Sequence, residues 1–230
     1  MNTTLWLITL MTIPVSVAVT YRFFGKIGLV VLLSLLTILS NLQTLLQVNI
    51  LGITTTLGNV TYGATYLVID IICENHGKEA AKKAIIISTI ALIFFTVNMI
   101  LAVNFSVIQE ASSISNYTAL SRIFNLLPRI IIASFTAYYI SHAIAAFIYL
   151  LLKKATKNKY IWGRNNLSTT IAAIFDNAIF TIVAFYGLLT FNYLLELSIT
   201  SYITSIIVSI INTPVVYLAK RMYSNGLIKD

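Results

Sequence analysis

The chain has 230 residues, 58% of them hydrophobic and only 10% charged, with a mean hydropathy of +0.90. A soluble domain carries about a quarter charged residues, so water cannot cover this surface, and a polytopic protein embedded in lipid is the class that remains. Fifteen Lys and Arg against seven Asp and Glu would point to nucleic acid in a soluble protein. In a membrane protein the same excess follows from basic residues gathering in cytoplasmic loops, so no nucleic-acid partner is expected.

Cys73 is the single cysteine, which excludes an internal disulfide. No Cys/His cluster has metal-ligand spacing, and neither metal nor cofactor is expected. The N-terminus, MNTTLWLITL, lacks the basic start and small-residue cleavage site of a signal peptide. It is expected to stay in the mature chain as a first transmembrane helix.

Crossing ~30 Å of hydrocarbon takes about 20 apolar residues. Seven stretches qualify or nearly so: roughly 3–21, 27–48, 53–73, 81–103, 124–152, 167–190 and 196–219. The third is the least apolar, carrying Thr54 to Thr56, Asn59, Thr61, Thr65 and Asp70. A broken or re-entrant element, covered by protein or lining a cavity, is an alternative to a full crossing there. Basic residues fall in alternate connections: Arg22 and Lys26; Lys78, Lys82 and Lys83; Lys153, Lys154, Lys157, Lys159 and Arg164; and Lys220, Arg221 and Lys229 in the tail. The connections around 49–52, 104–120 and 191–195 hold no Lys or Arg. Seven spans then put the N-terminus outside and the C-terminus inside. Gly25, Gly52, Gly77 and Gly163 punctuate the connections, and Pro128 opens the fifth helix, where a missing N–H costs little. The expected fold is all-α: one membrane bundle of six or seven helices over residues 1–230, the helix at about 3–21 being additional to a core at about 27–220.

A carboxylate at the centre of a membrane helix costs about 2.5–3.5 kcal/mol on insertion scales, which makes any intramembrane acid a functional candidate. Asn59, Tyr62, Tyr66, Asp70 and Glu74 recur at three- and four-residue steps and share one helical face. That face must look into the bundle. The bland alternatives are packing for the two tyrosines and a solvated helix end for Glu74. On the sixth segment Asn166, Thr169, Ala173, Asp176 and Phe180 share a face, with Asp176 ~16 Å beyond the helix start, near mid-membrane.

The fifth segment offers Arg129, either to the interior or snorkelling to outer headgroups, followed by Ser134, Tyr138, Ser141 and His142. His142 reads as a proton relay or as a simply hydrogen-bonded ring. Asn98, Asn41 and Gln43 are weaker candidates of the same kind. Carboxylates, a guanidinium, amides and aromatics in one interior suit a planar polar solute, uncharged or weakly cationic: rings stack, amides read donors and acceptors, and a carboxylate takes two parallel N–H groups.

Four stretches carry a resemblance: LSNLQTLLQVNILG (39–52), TYGATYLVIDIICENHGKEAAKK (61–83), PRIIIASFTAYYISH (128–142) and IWGRNNLSTTIAAIFDNAIF (161–180). Together they resemble the queuosine precursor transporter family, also called the VUT family, over about residues 30–220. Carried over by position, the family's motif residues fall on Asp70, Glu74, Arg129, Ser134, Arg164, Asn165, Asn166, Ser168 and Asp176. The resemblance implies uptake of 7-deazaguanines (cyano- or aminomethyl-deazaguanine, or queuine) for tRNA modification. It also implies a bundle similar in plan to the substrate-binding subunits of energy-coupling-factor vitamin transporters. Gly63 stands where the family usually has Pro, His76 where it has Tyr, Ala145 where it often has Asp, and His142 where it often has Gln. Those departures bear on which ligand is carried.

Transport of queuosine precursors is therefore the leading expectation, and carriage of another vitamin or nucleobase the alternative. No Walker loop, HExxH or GxSxG occurs. Energy from ATP would have to come from a partner ATPase or coupling module, and an intramembrane enzyme is the least supported class. Arg164 with Asn165 and Asn166 reads either as the cytoplasmic closure of a pocket or a docking point for such a partner, or as a positive-inside arginine beside helix-capping amides.

Overall fold

The computed structural model describes residues 2–50, 53–108, 110–125, 128–157, 159–187 and 190–228; Gly52 and Lys229 lie outside the described residues. Helix α1 (Asn2–Gln43) takes up both the first and second expected segments. Its 42 residues would reach ~63 Å as one rod, twice the hydrocarbon thickness. It does not run as one rod. Gly25 has φ 56° and ψ −144°, a conformation that a side chain resists, and the chain reverses there. Asn2 Nδ2 lies 3.5 Å from the Asn49 carbonyl, and Thr61 Oγ1 donates to Gln43 Oε1 at 2.5 Å. Tyr21, midway, sits 3.1 Å from His76 Nε2 and accepts from Asn75 Nδ2 at 3.0 Å. One end of α1 thus meets the segment just before the next helix and the other meets that helix's first turn, while its middle meets that helix's end, so its two arms run in opposite directions.

The third expected segment is not one continuous span. Strands β1 (Gln47–Ile50) and β2 (Ile53–Thr56) pair antiparallel as a small ribbon, and α2 (Gly58–Asn75) follows. Thr54 to Thr56, which weakened the apolar signal, belong to β2, where β-branched residues are at home, while Thr61 and Thr65 lie on α2. Helix α2 is the centre of the bundle, packed by α1, α3 (Lys78–Ala102), α5 (Pro128–Ala155) and α7 (Phe191–Ser224). Nearly every α2 residue is buried, Asp70 and Glu74 included. A helix shielded by protein on all sides need not be uniformly apolar, which explains its modest hydropathy. The surrounding long helices carry the lipid-facing belt instead, with Ile27, Phe94, Ile132 and Ile182 all exposed.

Close approach around α2 depends on glycine. A Cβ on Gly63 would stand 2.5 Å from Val208 Cγ1 of α7, and one on Gly58 would stand 2.5 Å from the Ser40 carbonyl of α1.

The 104–120 connection holds helix α4 (Ala111–Asn125), weakly apolar and largely exposed, and the fifth expected segment accordingly begins later, at Pro128. Helix α6 (Ile161–Phe185) lies along α5 and α7. One end of the bundle collects Arg22, Lys26, the lysines after α2, those after α5, and Lys220 with Arg221; Arg22 bonds the Leu227 carbonyl there. At the opposite end, with the ribbon and α4, the described basic residues are Arg122 and Arg129. Arg122 fell just beyond the loop boundary drawn from sequence. The architecture is an all-α, multi-pass membrane bundle with one short β-ribbon.

Candidate functional site

At the ribbon end, α1, α2, α5, α6 and α7 enclose a cavity of about 200 Å³. Asn59 and Tyr62 of α2, Ser134 of α5, Asp176 and Phe180 of α6, and Ser201 of α7 line it. Tyr62 Oη donates to Asp176 Oδ1 at 2.6 Å, and Ser141 Oγ donates to the same oxygen at 2.8 Å. Two neutral donors from two helices fix the carboxylate's orientation without neutralising it. Asn59 is held as firmly: Nδ2 donates to Thr55 Oγ1 at 2.9 Å and to Ser201 Oγ at 3.3 Å, and Oδ1 accepts from Thr56 Oγ1 at 2.9 Å. Side chains locked in this way present a preformed surface, which lowers the cost of ordering on binding. Asn41 and Asn177 also line the cavity.

An aromatic layer packs behind Tyr62 of the cavity wall. Tyr66 stacks on His142 with ring centroids 4.3 Å apart, and Tyr62 meets Tyr66 edge-on at 5.6 Å. His142 is wholly buried, with Nε2 2.7 Å from Thr65 Oγ1 and Nδ1 3.0 Å from the Tyr138 carbonyl. Both ring nitrogens are thereby held, as in the simpler of its two sequence readings.

Beyond that layer lies a second polar cluster, at the Lys/Arg-rich end. Glu74 accepts from Lys220 Nζ at 2.6 Å and Tyr149 Oη at 3.1 Å, and pairs with Arg164 Nη2 at 3.2 Å and Lys153 Nζ at 3.5 Å. Four helices converge on this one carboxylate. Arg164 is 1% exposed, and its guanidinium carbon sits 5.5 Å from the centre of the Tyr149 ring. Asp70, one turn before Glu74 on α2, is 1% exposed, and neither carboxylate oxygen has a hydrogen-bond partner among the described residues.

The candidates named from sequence therefore separate. Asn59, Tyr62, Ser134 and Asp176 meet at the cavity, and Tyr66 packs edge-on against Tyr62 without lining it. Asp70 and Glu74 stand in the inner cluster. Asn166 ties α6 to α7, donating to Thr213 Oγ1 at 2.9 Å and accepting from Ser209 Oγ at 3.2 Å; Asn165 donates to the same Thr213 at 3.0 Å. Arg129 turns away from the interior and donates to the Val183 and Tyr186 carbonyls at 2.7 and 2.6 Å, capping the end of α6. Asn98 is exposed on α3, its amide bonded to the Phe94 carbonyl one turn back at 2.8 Å.

Sequence reasoning did not select Ser201, nor Lys153 and Lys220 as partners of Glu74. A signal for the first was available: Ser201, Ser205 and Ser209 recur every fourth residue on one buried face of α7.

Residues 56–219 match the family described as "Putative vitamin uptake transporter". The chain belongs to this family. A relative from Bacillus subtilis (strain 168), named "Probable queuosine precursor transporter", is 33% identical over 227 residues, covering 97% of each chain. No solved structure matches the chain. The family match runs from α2 into α7, so it contains Asp176 at the cavity and Asp70, Glu74, Lys153 and Arg164 of the inner cluster, while Lys220 lies one residue beyond it.

Proposed function

We propose that this transporter imports queuosine precursors of the 7-deazaguanine type through the cavity around Asp176. The orientation follows from charge: the Lys/Arg-rich end is cytoplasmic, the C-terminus lies inside, the N-terminus outside, and the cavity opens to the exterior. The observation that carries the reading is the carboxylate of Asp176, held on one oxygen by Tyr62 and Ser141 at the wall of a small aromatic- and amide-lined chamber.

A guanine-like ring presents a ring N–H beside an exocyclic amine, and Oδ2 of Asp176, the oxygen that Tyr62 and Ser141 leave open, accepts from that edge. Phe180 offers a face for stacking, and the side-chain carbonyls of Asn59 and Asn177 offer acceptors for the remaining polar edge. A volume of about 200 Å³ lies below the ~300–1,000 Å³ of pockets that hold drug-sized ligands. That size favours the cyano- and aminomethyl-deazaguanines over the bulkier queuine. The protein performs no covalent chemistry on its cargo. Any ATP-driven step belongs to a partner ATPase or coupling module, since the chain holds no nucleotide-binding loop.

The test is ligand binding to purified protein across deazaguanines, guanine and common vitamins. Binding of a deazaguanine, lost on Asp176→Asn, supports the reading. A protein that binds a vitamin or a plain nucleobase and no deazapurine overturns the ligand class.

A further inference from the structure

The cluster below the aromatic layer is not needed to hold cargo in the outer cavity, yet it concentrates most of the bundle's buried charge. Burying an ion costs several kcal/mol even after relaxation, and such pairs rarely add net stability. Glu74 is fully engaged, by Arg164 from α6, Lys153 and Tyr149 from α5, and Lys220 from α7. Asp70 is the anomaly. It is buried, bare of hydrogen bonds among the described residues, and one turn of α2 from Glu74, the acid that Arg164 meets. Arg164 is bare in a complementary way, none of its three guanidinium nitrogens making a hydrogen bond of good geometry among the described residues, although Nη2 lies 3.2 Å from Glu74.

The two acids stand four residues apart on one face of α2, hence ~6 Å apart along its axis. That is the stroke of a one-turn ratchet of one helix past another. Arg164 rides on α6, the helix that also carries Asp176 at the cavity. Side chains span the boundary between α2 and α6 at both levels, Tyr62 to Asp176 above and Glu74 to Arg164 below.

We propose that Arg164 is the sliding bolt of a cytoplasmic gate with two seats, Glu74 when the gate is closed and Asp70 when it is open. Resting on the transport reading above, this assigns Asp70 and Glu74 as positioning residues for opposite states, with no role in touching cargo. Removing the closed seat opens the gate, and removing the open seat locks it shut.

Cys73, the chain's single cysteine, is a built-in reporter, fully buried and adjacent to Glu74. Its rate of labelling by a charged maleimide is measured in inside-out vesicles holding the full chain, with deazaguanine binding to the same protein measured in parallel. Glu74→Gln is expected to raise the labelling rate about tenfold, Asp70→Asn to lower it below wild type, and both to keep binding within about twofold while losing uptake. Lys220→Gln, at a half-exposed partner of Glu74, is expected to raise labelling by about threefold. It decides the matter if Glu74→Gln does not fold. Equal shifts in the two acid variants, or labelling unmoved by Lys220→Gln, overturn the two-seat gate. Because labelling needs no cargo, the gate can stand where no deazaguanine binds, and it can fail where one does.

Discussion

Tyr62 and Asp176 join α2 to α6 through a single 2.6 Å hydrogen bond at the cavity wall. The phenol comes from the central helix and the acid from a helix in the lipid-facing ring, so this bond ties the two helices across the chamber and, with the one from Ser141, sets the acid's direction. Tyr62→Phe removes it and leaves the ring contacts with Tyr66. A hydrogen bond to a charged group is worth about 1.5–3 kcal/mol. The variant is expected to bind cargo about tenfold more weakly, with little change in helix content by circular dichroism.

Packing gives a second prediction. Gly63 lets Val208 of α7 press on α2, and a Cβ there would meet Val208 Cγ1 at 2.5 Å. Gly63→Val overfills that contact, a change that costs about 1–3 kcal/mol in a packed core. Thermal unfolding in detergent should fall by several degrees. Gly163, whose added Cβ meets nothing within 4 Å, serves as the control, with Gly163→Ala expected to leave the midpoint in place.

The placement of Arg129 and Asn98 gives a third. Both lie away from the cavity, one capping the α6 carbonyls and one exposed on α3. Asn98→Leu should leave uptake unchanged. Arg129→Gln should weaken the helix end by about 1 kcal/mol, seen as a lower unfolding midpoint with binding intact. A large loss of affinity in either variant would return that residue to the site.

Much of the fold was legible because membrane burial is written in composition. Helices α3, α5, α6 and α7 fall on the apolar runs expected for them, with α5 starting at Pro128 rather than 124 and α6 ending at Phe185 rather than 190, and Gly25 marks the turn between the first two. What periodicity could not show is that α2 is central. A helix wrapped by other helices loses the apolar signature by which spans are found, so the segment through Asp70 read as a weak crossing. The ribbon was hidden for a related reason, its four-residue strands being too short for alternation to stand out.

The site was legible in part. The stripe from Asn59 to Glu74 does face the interior along its whole length. Spacing along one helix gives a face but not a depth, so nothing in it separated Tyr62, at the cavity, from Glu74, about 18 Å further along the axis. Arg129 shows the same limit. Its side chain was free to turn inward or to the nearest helix end, and the open carbonyls of α6 decided it.

The central claim is that Asp176 receives the cargo, and equilibrium binding of a cyano- or aminomethyl-deazaguanine to purified Asp176→Asn protein tests it most directly. The amide keeps the size of the acid but replaces one acceptor oxygen with a donor, so affinity is expected to fall about a hundredfold, close to 2.7 kcal/mol, while the fold and its unfolding midpoint are retained. A folded Asp176→Asn protein that binds as tightly as the wild type would contradict the account.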